Sequence, residues 1–351
     1  MLTKRRNLRA LPWIAAAVLL ASVSMAQTAS AKDVKKIAVL TPEQGTDFGW
    51  NQQGTDAAKQ AAAELGLEIE VAGGLGYGDV RPVMRELASE GVDLLIAHAS
   101  GYNTAGPEIA AETGAAVAVV DNPEAIKPDL VADYTVSGHE GAYLAGILAA
   151  KMSRTGTLGI VVSGEPPSWN AQSAGFAQGA KAARPGIKLR YAVIGPAAYG
   201  DVAGGKRVTE SVIAAGADIV FGQGNGSSFG MIQAVETTKA VDGGKVWFID
   251  VIGDKRSLDK GHLLSSVLWN LTPTYKEIIQ DLQSGRFGTR SYAIGLKDGS
   301  VQLLETGHAD ATAWSDTMKT RDQIMGGQIA VEQIFDAEAV RAMMSDVEIN
   351  E

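Results

Sequence analysis

The sequence contains no cysteine among its 351 residues. Disulfides, thiolate metal ligands and a lipid-modified cysteine are therefore excluded. Histidine is also scarce, and the four present, at positions 98, 139, 262 and 308, form neither a His-Glu-x-x-His motif nor a pair at metal-ligand spacing. We therefore expect no metal site and no cofactor.

Positive charge is in deficit, with 31 Lys and Arg against 40 Asp and Glu and a net charge of −9. An acidic chain repels phosphate backbones and anionic lipid, and no basic stripe with interleaved aromatic residues is present. Nucleic-acid and membrane-surface roles are therefore not expected.

A long apolar run is lacking too, because the run from Leu11 to Val23 has only 13 residues. A membrane-spanning helix needs roughly 18 to 20. Lys4, Arg5, Arg6 and Arg9 precede the run and Ala29-Ser30-Ala31 follows it, which is the layout of a secretory signal peptide. We therefore predict that residues 1–31 are a signal peptide, cleaved after Ala31, and that the mature protein is free in the periplasm and not a lipoprotein.

What is abundant is an alternation of short aliphatic runs with alanine-rich stretches of helical period. This alternation predicts an α/β protein with parallel sheets covered by helices on both faces. The predicted strands are Lys36–Leu40, Leu67–Val71, Val92–Ala97, Ala115–Val120, Thr157–Val162, Ile187–Ile194, Asp218–Phe221, Val246–Asp250 and Leu263–Leu268. One block of this kind precedes Asp133 and another follows His139, which indicates two similar lobes.

In open parallel sheets, ligands bind beyond the carboxyl ends of the strands. The loops at those ends are rich in aromatic residues, carboxylates and glycine, and they supply the candidate site residues. The loops lie at 47–51, 100–103, 121–122, 163–169, 199–201 and 222–229, with Asp250 at the end of a further strand.

One enzyme motif competes with a binding role. Residues Gly226 to Gly230 read Gly-Ser-Ser-Phe-Gly, the spacing of an esterase nucleophile elbow around Ser228, and Asp250 and His262 follow in the order of a catalytic triad. An elbow joins a strand directly to a helix, whereas four residues separate this motif from Phe221. A glycine-rich loop that lets the backbone approach a ligand is the simpler interpretation, and we expect no enzymatic activity.

Several segments together resemble the basic membrane protein family, the PnrA-like purine-nucleoside-binding components of ABC importers. The first is Asp47-Phe48-Gly49-Trp50-Asn51, which is similar to the family's Asp-x-x-Phe-Asn signature. The others are Tyr143–Ala150, Gly175-Phe176-x-x-Gly179-Ala180, Tyr199-Gly200-Asp201, Ala217–Phe221 and Ser265–Asn270. They occur in order over about residues 35 to 285.

The resemblance implies a type I periplasmic-binding fold, in which two Rossmann-like lobes with a hinge close on a ligand. The lobes are expected at 32–136 plus about 252–288 and at 137–251 plus about 289–351. The implied function is that of a substrate-binding component of an ABC importer. Its partners would be a purine nucleoside or related heterocycle and the permease in the inner membrane.

The candidate ligand residues follow from the resemblance and from side-chain chemistry. Trp50 and Tyr199 stand where the family places its stacking rings, one in each lobe. Ionised carboxylates accept hydrogen bonds from ligand hydroxyl or N–H groups. The remaining candidates are Asp47, Asn51, Asp121, Glu140, Trp169, Asp201, Gly226, Asp250 and Trp269.

One position departs from the family. Where the family carries a lysine that helps to hold a nucleoside, this chain has Trp269. A free purine base or another aromatic or polyhydroxylated ligand is therefore also an open alternative. Two further classes remain open: a periplasmic receptor that presents its ligand to a sensor, and an exported serine esterase that uses Ser228.

Overall fold

A computed structural model describes residues 1–2, 31–136 and 138–350 of the chain. The predicted signal peptide therefore lies almost entirely outside the described residues. The strands are β1 (Lys36–Leu40), β2 (Glu68–Ala72), β3 (Leu94–Ala97), β4 (Ala116–Val120), β5 (Val131–Thr135), β6 (Thr157–Val162), β7 (Lys188–Val193), β8 (Ile219–Gln223), β9 (Trp247–Ile252), β10 (Leu263–Trp269), β11 (Ser291–Ala293), β12 (Val301–Leu303) and β13 (Asp346–Ile349).

The α-helices alternate with these strands. They are α1 (Trp50–Leu65), α2 (Arg81–Ser89), α3 (Ala105–Thr113), α4 (His139–Met152), α5 (Pro167–Ala183), α6 (Val202–Ala214), α7 (Ser228–Thr237), α8 (Thr272–Gln283), α9 (Ala311–Met325) and α10 (Ala337–Ala342). Within the described residues, no helix combines the length and apolarity that a bilayer crossing requires.

The strands form two sheets, one in each lobe. The first has the order β11-β5-β4-β3-β1-β2 and is parallel throughout. The second has the order β12-β10-β9-β8-β6-β7-β13, and its strands are parallel except that β12 pairs antiparallel with β10. The predicted α/β class with two lobes is confirmed.

The central strands are buried on both faces because helices cover each sheet on both sides. Every residue of β3, β4 and β6 is buried, which explains why these strands read as continuous aliphatic runs. All nine predicted strands exist with boundaries within two residues of those expected.

Four strands escaped the sequence analysis, each for a physical reason. β5 contains a fully buried aspartate, Asp133, and aspartate is a residue type that is rare in strands. β11 and β12 have three residues each, and β13 is a four-residue edge strand with every residue exposed. Short or polar strands have no continuous apolar run that could reveal them.

The chain passes between the lobes three times, and two of the crossings differ from the predicted boundaries. Residues 252–269 were expected in the first lobe, but β10 pairs with β9 of the second sheet through Leu263 and Phe248. Residues from 289 onward were expected in the second lobe, but β11 pairs with β5 of the first. The three crossings therefore follow β5, β10 and β11.

In the second lobe, α4 and α5 pack with their backbones nearly touching. A Cβ on Gly146 would overlap the carbonyl oxygen of Phe176, and one on Gly179 would overlap that of Tyr143. Small residues allow this approach, and any larger side chain would force the helices apart.

Candidate functional site

A cavity of about 270 Å³ lies between the lobes at the carboxyl ends of the strands. From the first lobe it is lined by Pro42, Trp50, Tyr77, Ala99, Ser100, Gly101, Asp121 and Val136; from the second, by Pro166, Ser168, Trp169, Ala197, Tyr199, Asn225 and Trp269. Most of these residues follow directly after a strand. The sheet edge predicted to hold the site is therefore the edge that borders this cavity.

Aromatic rings from both lobes make up much of the lining. The ring of Tyr199 meets Trp169 edge to face, with centroids 5.3 Å apart, and lies 5.6 Å from the ring of Tyr77. The indoles of Trp50 and Trp269 are perpendicular, with centroids 6.1 Å apart. Such a lining favours a flat apolar ligand over a fully hydrated one.

His98 supports Trp50 from behind. The imidazole stacks on the indole with centroids 3.6 Å apart and an angle of 17° between the rings. The indole Nε1 also donates to the His98 carbonyl oxygen over 3.1 Å. One face of Trp50 is thus covered by protein, and only the other face can accept a ligand ring.

The imidazole of His98 is itself fixed as a neutral ring. Its Nε2 lies 2.9 Å from the Trp50 carbonyl oxygen, so this nitrogen must carry the proton. Its Nδ1 then has one lone pair with which to accept, and the hydroxyl oxygens of Tyr134 and Tyr275 lie 2.8 and 2.7 Å from it. Complete burial lowers the pKa of His98 to about 3, so the imidazole that stacks on Trp50 stays neutral at any physiological pH.

Asp121 is the carboxylate that reaches the cavity. It follows β4 with a φ of 53°, a left-handed conformation that is uncommon for a residue other than glycine. Its Oδ1 accepts from the Val136 main-chain N–H over 3.1 Å, while its Oδ2 is buried and finds no hydrogen-bond partner in the part of the chain that the structure describes. Burial, with a smaller contribution from the nearby Asp133, raises the pKa of Asp121 to about 7.

Trp269 supplies an unused donor beside the cavity. Its Nε1 is buried and has no hydrogen-bond partner among the described residues, and neither has Oε1 of the neighbouring Gln172. Both atoms crowd against Gly138, where any Cβ would overlap the indole nitrogen. Buried polar groups without partners are rare in native proteins, so this donor and the Asp121 acceptor stand out among the described polar atoms beside the cavity.

Asp47 and Asn51, two further predicted site residues, lie outside the cavity lining. The Asp47 carboxylate accepts from the main-chain N–H groups of Gly49, Asn51 and Gln52 at 2.9 to 3.1 Å, which satisfies most of the first turn of α1. The Asn51 amide also donates to this carboxylate over 2.8 Å. In this structure both side chains are engaged in positioning the helix that carries Trp50.

Asp250 is also engaged within the protein. Its carboxylate pairs with the buried Lys255 ammonium at 2.5 Å, and its Oδ1 lies 3.2 Å from the Ser228 hydroxyl oxygen. Burial raises the pKa of Asp250, and the Lys255 charge opposes this shift. The carboxylate does not line the cavity.

The triad geometry of an esterase is not assembled around Ser228. Its hydroxyl is fully buried and donates to the Gly224 carbonyl oxygen over 2.6 Å. His262 stands at the amino end of β10, whereas Ser228 follows the carboxyl end of the parallel β8. The two residues therefore lie at opposite edges of the sheet.

The other candidates also make structural contacts. Glu140 accepts from the main-chain N–H of Leu296 over 3.2 Å, and Asp201 caps α6 by accepting from the Gly204 N–H over 2.8 Å. Gly226 packs against Gly200, whose Cα would lie 3.3 Å from an added Cβ. The structure thus brings Trp50, Asp121, Trp169, Tyr199 and Trp269 together around the cavity and leaves the other six outside its lining.

Among the lining residues that were not named as candidates from the sequence, Tyr77 adds an aromatic ring and Asn225 adds a side-chain amide. Tyr77 lies in the glycine-rich loop after β2, and its hydroxyl donates to Glu43 over 3.1 Å. An aromatic residue in a glycine-rich loop at the carboxyl end of a strand was the available signal. Asn225 lies in a loop that was predicted, but nothing in the sequence distinguished it from its neighbours.

Metal coordination has no evident place in the described part of the chain, where no group of three or more His, Asp or Glu side chains could hold an ion.

Comparison with known proteins places this architecture among transport proteins. Residues 34–334 match a family model described as "ABC transporter substrate-binding protein PnrA-like". The transcriptional activator protein Med of Bacillus subtilis is 23% identical over 287 residues, which cover 82% of this chain and 87% of Med. The nucleoside-binding protein BmpA of Lactococcus lactis is 27% identical over 214 residues, covering 57% of this chain and 60% of BmpA.

Two more similarities concern the ligand and the fold. A purine-binding protein of Brucella abortus is 23% identical over 273 residues, covering 73% of this chain and 71% of that protein. The crystal structure of an ABC transporter solute-binding protein from Aeropyrum pernix superposes with a TM-score of 0.75 at 19% identity, over 88% of this chain and 96% of that chain. At this identity the superposition shows the fold alone.

Proposed function

The chain belongs to the PnrA-like family of ABC transporter substrate-binding proteins, and on that premise we propose that it captures a neutral purine, as nucleoside or free base, between its lobes. The type I periplasmic-binding fold predicted from the sequence is confirmed by the two parallel sheets and by the solved solute-binding proteins. Family membership makes it a binding protein for a small molecule. The identity of that molecule is the proposal.

The observation that carries the proposal is the aromatic lining of the cavity. Rings of Trp50 and Tyr77 come from the first lobe, and rings of Trp169, Tyr199 and Trp269 from the second. A flat heterocycle stacked on such a ring gains roughly 1–3 kcal/mol per contact. A volume of about 270 Å³ is at the small end of ligand pockets, which suits a base or nucleoside better than a larger ligand.

The polar atoms beside the rings support a neutral ligand. Asp121 offers an acceptor and Trp269 offers a donor, and both lack a partner within the protein. A purine carries both N–H groups and ring nitrogens that accept, so it can satisfy one of each. No cationic side chain of the described residues lines the cavity, and a phosphorylated ligand would therefore lack a counter-charge.

The names of two relatives also favour a purine ligand. One relative is called nucleoside-binding and another purine-binding. Family membership further supports an extracytoplasmic location and delivery of the ligand to an inner-membrane permease, which we propose as the partner. Because the chain is also similar to the activator Med, a receptor role in place of transport is the second candidate.

Calorimetry tests the proposal directly. Adenosine, guanosine, inosine and their free bases would be compared with a simple sugar, after native mass spectrometry has identified any molecule that co-purifies. Trp50→Ala or Tyr199→Ala should weaken purine binding about five- to 150-fold, which corresponds to the loss of one stacking contact. Trp247→Ala is the matched control because Trp247 begins β9, at the opposite edge of the sheet from the cavity.

Tight sugar binding with no response to purines, unchanged by Trp50→Ala, would refute the stacking model. Uptake of labelled purine by cells that lack the gene for this protein would separate the two roles. Normal uptake without the protein would favour the receptor role.

A further inference from the structure

The first turn of α1 has an unusual arrangement of caps. Its N-cap residue is Gly49, which has no side chain, and Asp47 instead accepts from the N–H groups of Gly49, Asn51 and Gln52. This leaves the main-chain N–H of Trp50, the first residue of the helix, without a partner from its own lobe. An N–H group at a helix start needs an acceptor from a side chain or from water.

The missing acceptor comes from the opposite lobe. Oδ1 of Asn225, in the loop between β8 and α7, accepts from the Trp50 N–H over 3.3 Å. Asn225 is only 4% exposed and borders the cavity. Gly49 makes room for it, because an added Cβ there would lie 3.3 Å from the Asn225 Oδ1 and 3.4 Å from its Cα.

Other contacts across the cleft converge on the same turn. The Gln53 side-chain amide donates to the Trp269 carbonyl oxygen. The Phe48 ring meets Phe229 of the second lobe edge to face at 6.4 Å. The turn that presents Trp50 to the cavity is therefore also one of the places where the first lobe contacts the second.

From these contacts we propose that Asn225 is a positioning residue that caps α1 only when the lobes close, so that closure completes the helix carrying Trp50. When the lobes separate, the Trp50 N–H must exchange Asn225 for water. A net hydrogen bond of ordinary strength then favours closure about two- to tenfold even with no ligand bound. A ligand that binds the closed state has a lower apparent affinity when that state is rarely populated. By raising the closed population, the Asn225 hydrogen bond would therefore strengthen binding by a similar factor.

The absence of cysteine makes the test simple. Cysteines introduced at the exposed Lys59, on α1, and Lys239, after α7, would carry a dye pair for single-molecule energy transfer. The ligand-free protein should show a closed population. Asn225→Ala should reduce the ratio of closed to open molecules about two- to tenfold.

Two variants separate capping from other roles. Asn225→Asp keeps the acceptor but loses the amide N–H groups and, when ionised, places a second carboxylate beside the buried Asp47, where salt screens little. It should retain the wild-type ratio at about pH 4, where its carboxyl is protonated and its carbonyl oxygen still accepts. Ser227→Ala is the matched control, since its buried hydroxyl has no hydrogen-bond partner within residues 31–136 and 138–350, and it should also leave the ratio unchanged.

The proposal is overturned if the ligand-free protein has no closed population, if Asn225→Ala leaves the ratio unchanged, or if Asn225→Asp loses as much as Asn225→Ala. Thermal unfolding of each variant would confirm that it folds. Because every measurement is made without ligand, the outcome is independent of whether purines bind.

Discussion

Replacing Asp121 by asparagine should change the pH dependence of both stability and binding. The pKa of this carboxyl is about 7 in the folded protein, against 3.8 for an exposed aspartate. Between these values the folded state holds a proton that the unfolded state has released. The free energy of unfolding should therefore fall as pH rises through this interval, by at most about 1.4 kcal/mol per pH unit and roughly 4 kcal/mol in total.

Asparagine cannot ionise, so Asp121→Asn removes this loss of stability with rising pH. Its amide can still accept from the Val136 N–H, whereas its buried NH₂ group would lack an acceptor, which costs about 1–3 kcal/mol at every pH. The variant should thus be less stable than the wild type near pH 4 and gain on it steadily up to about pH 8. Urea unfolding at pH 4.5, 6 and 8 measures the difference, in which other titrating groups cancel. Equal slopes for the two proteins would refute the assigned burial of the charge.

Binding should show the opposite pH dependence. A ligand N–H prefers the ionised carboxylate as acceptor, and with a pKa of about 7 only about one molecule in thirty is ionised at pH 5.5. Purine affinity in the wild type should then rise up to about thirtyfold between pH 5.5 and 8.5. In Asp121→Asn it should be weaker and flat. Calorimetry at both pH values distinguishes this from a flat wild-type profile, which would show that the ligand does not use this carboxylate.

Two further perturbations test the second lobe. Lys255→Met should destabilise the fold by about 3–5 kcal/mol in chemical denaturation, because it leaves the buried carboxylate of Asp250 without a counter-charge. The double variant with Asp250→Leu should recover much of that stability. A Lys255→Met variant as stable as the wild type would contradict the pairing. Gly179→Ala should lower the free energy of unfolding by about 1–3 kcal/mol, because the added Cβ forces α4 and α5 apart. Gly186→Ala is the control and should leave the stability unchanged, because an added Cβ there meets open space. Equal effects of the two substitutions would argue against the close contact between the helices.

The pattern of buried strands was readable from the sequence alone. Runs such as Ala116–Val120 are aliphatic at every position because helices cover both faces of the sheet. Loops after such strands meet at one edge of the sheet, and the cavity lies at that edge. The short motifs, taken in their order along the chain, were enough to identify the family, because both the motifs and their order can be read directly from the sequence.

The roles of individual side chains depended on the tertiary structure. Asp47, Asp121 and Asp250 all stand at or after the ends of strands and look equivalent in the sequence. Only Asp121 reaches the cavity, because Asp47 is engaged by the N–H groups of α1 and Asp250 by Lys255. Such partners come from distant segments or from the exact path of a loop, and neither is encoded in local spacing.

The lobe boundaries and the contacts between lobes were likewise decided only in three dimensions. Strands β10 and β11 belong to different sheets although fewer than thirty residues separate them, because pairing depends on which neighbouring strand has a free edge. Asn225 meets Trp50 across 175 positions of sequence. Hydrophobic periodicity determines which segments become strands and helices, whereas hydrogen-bond partners between lobes exist only after those elements have packed.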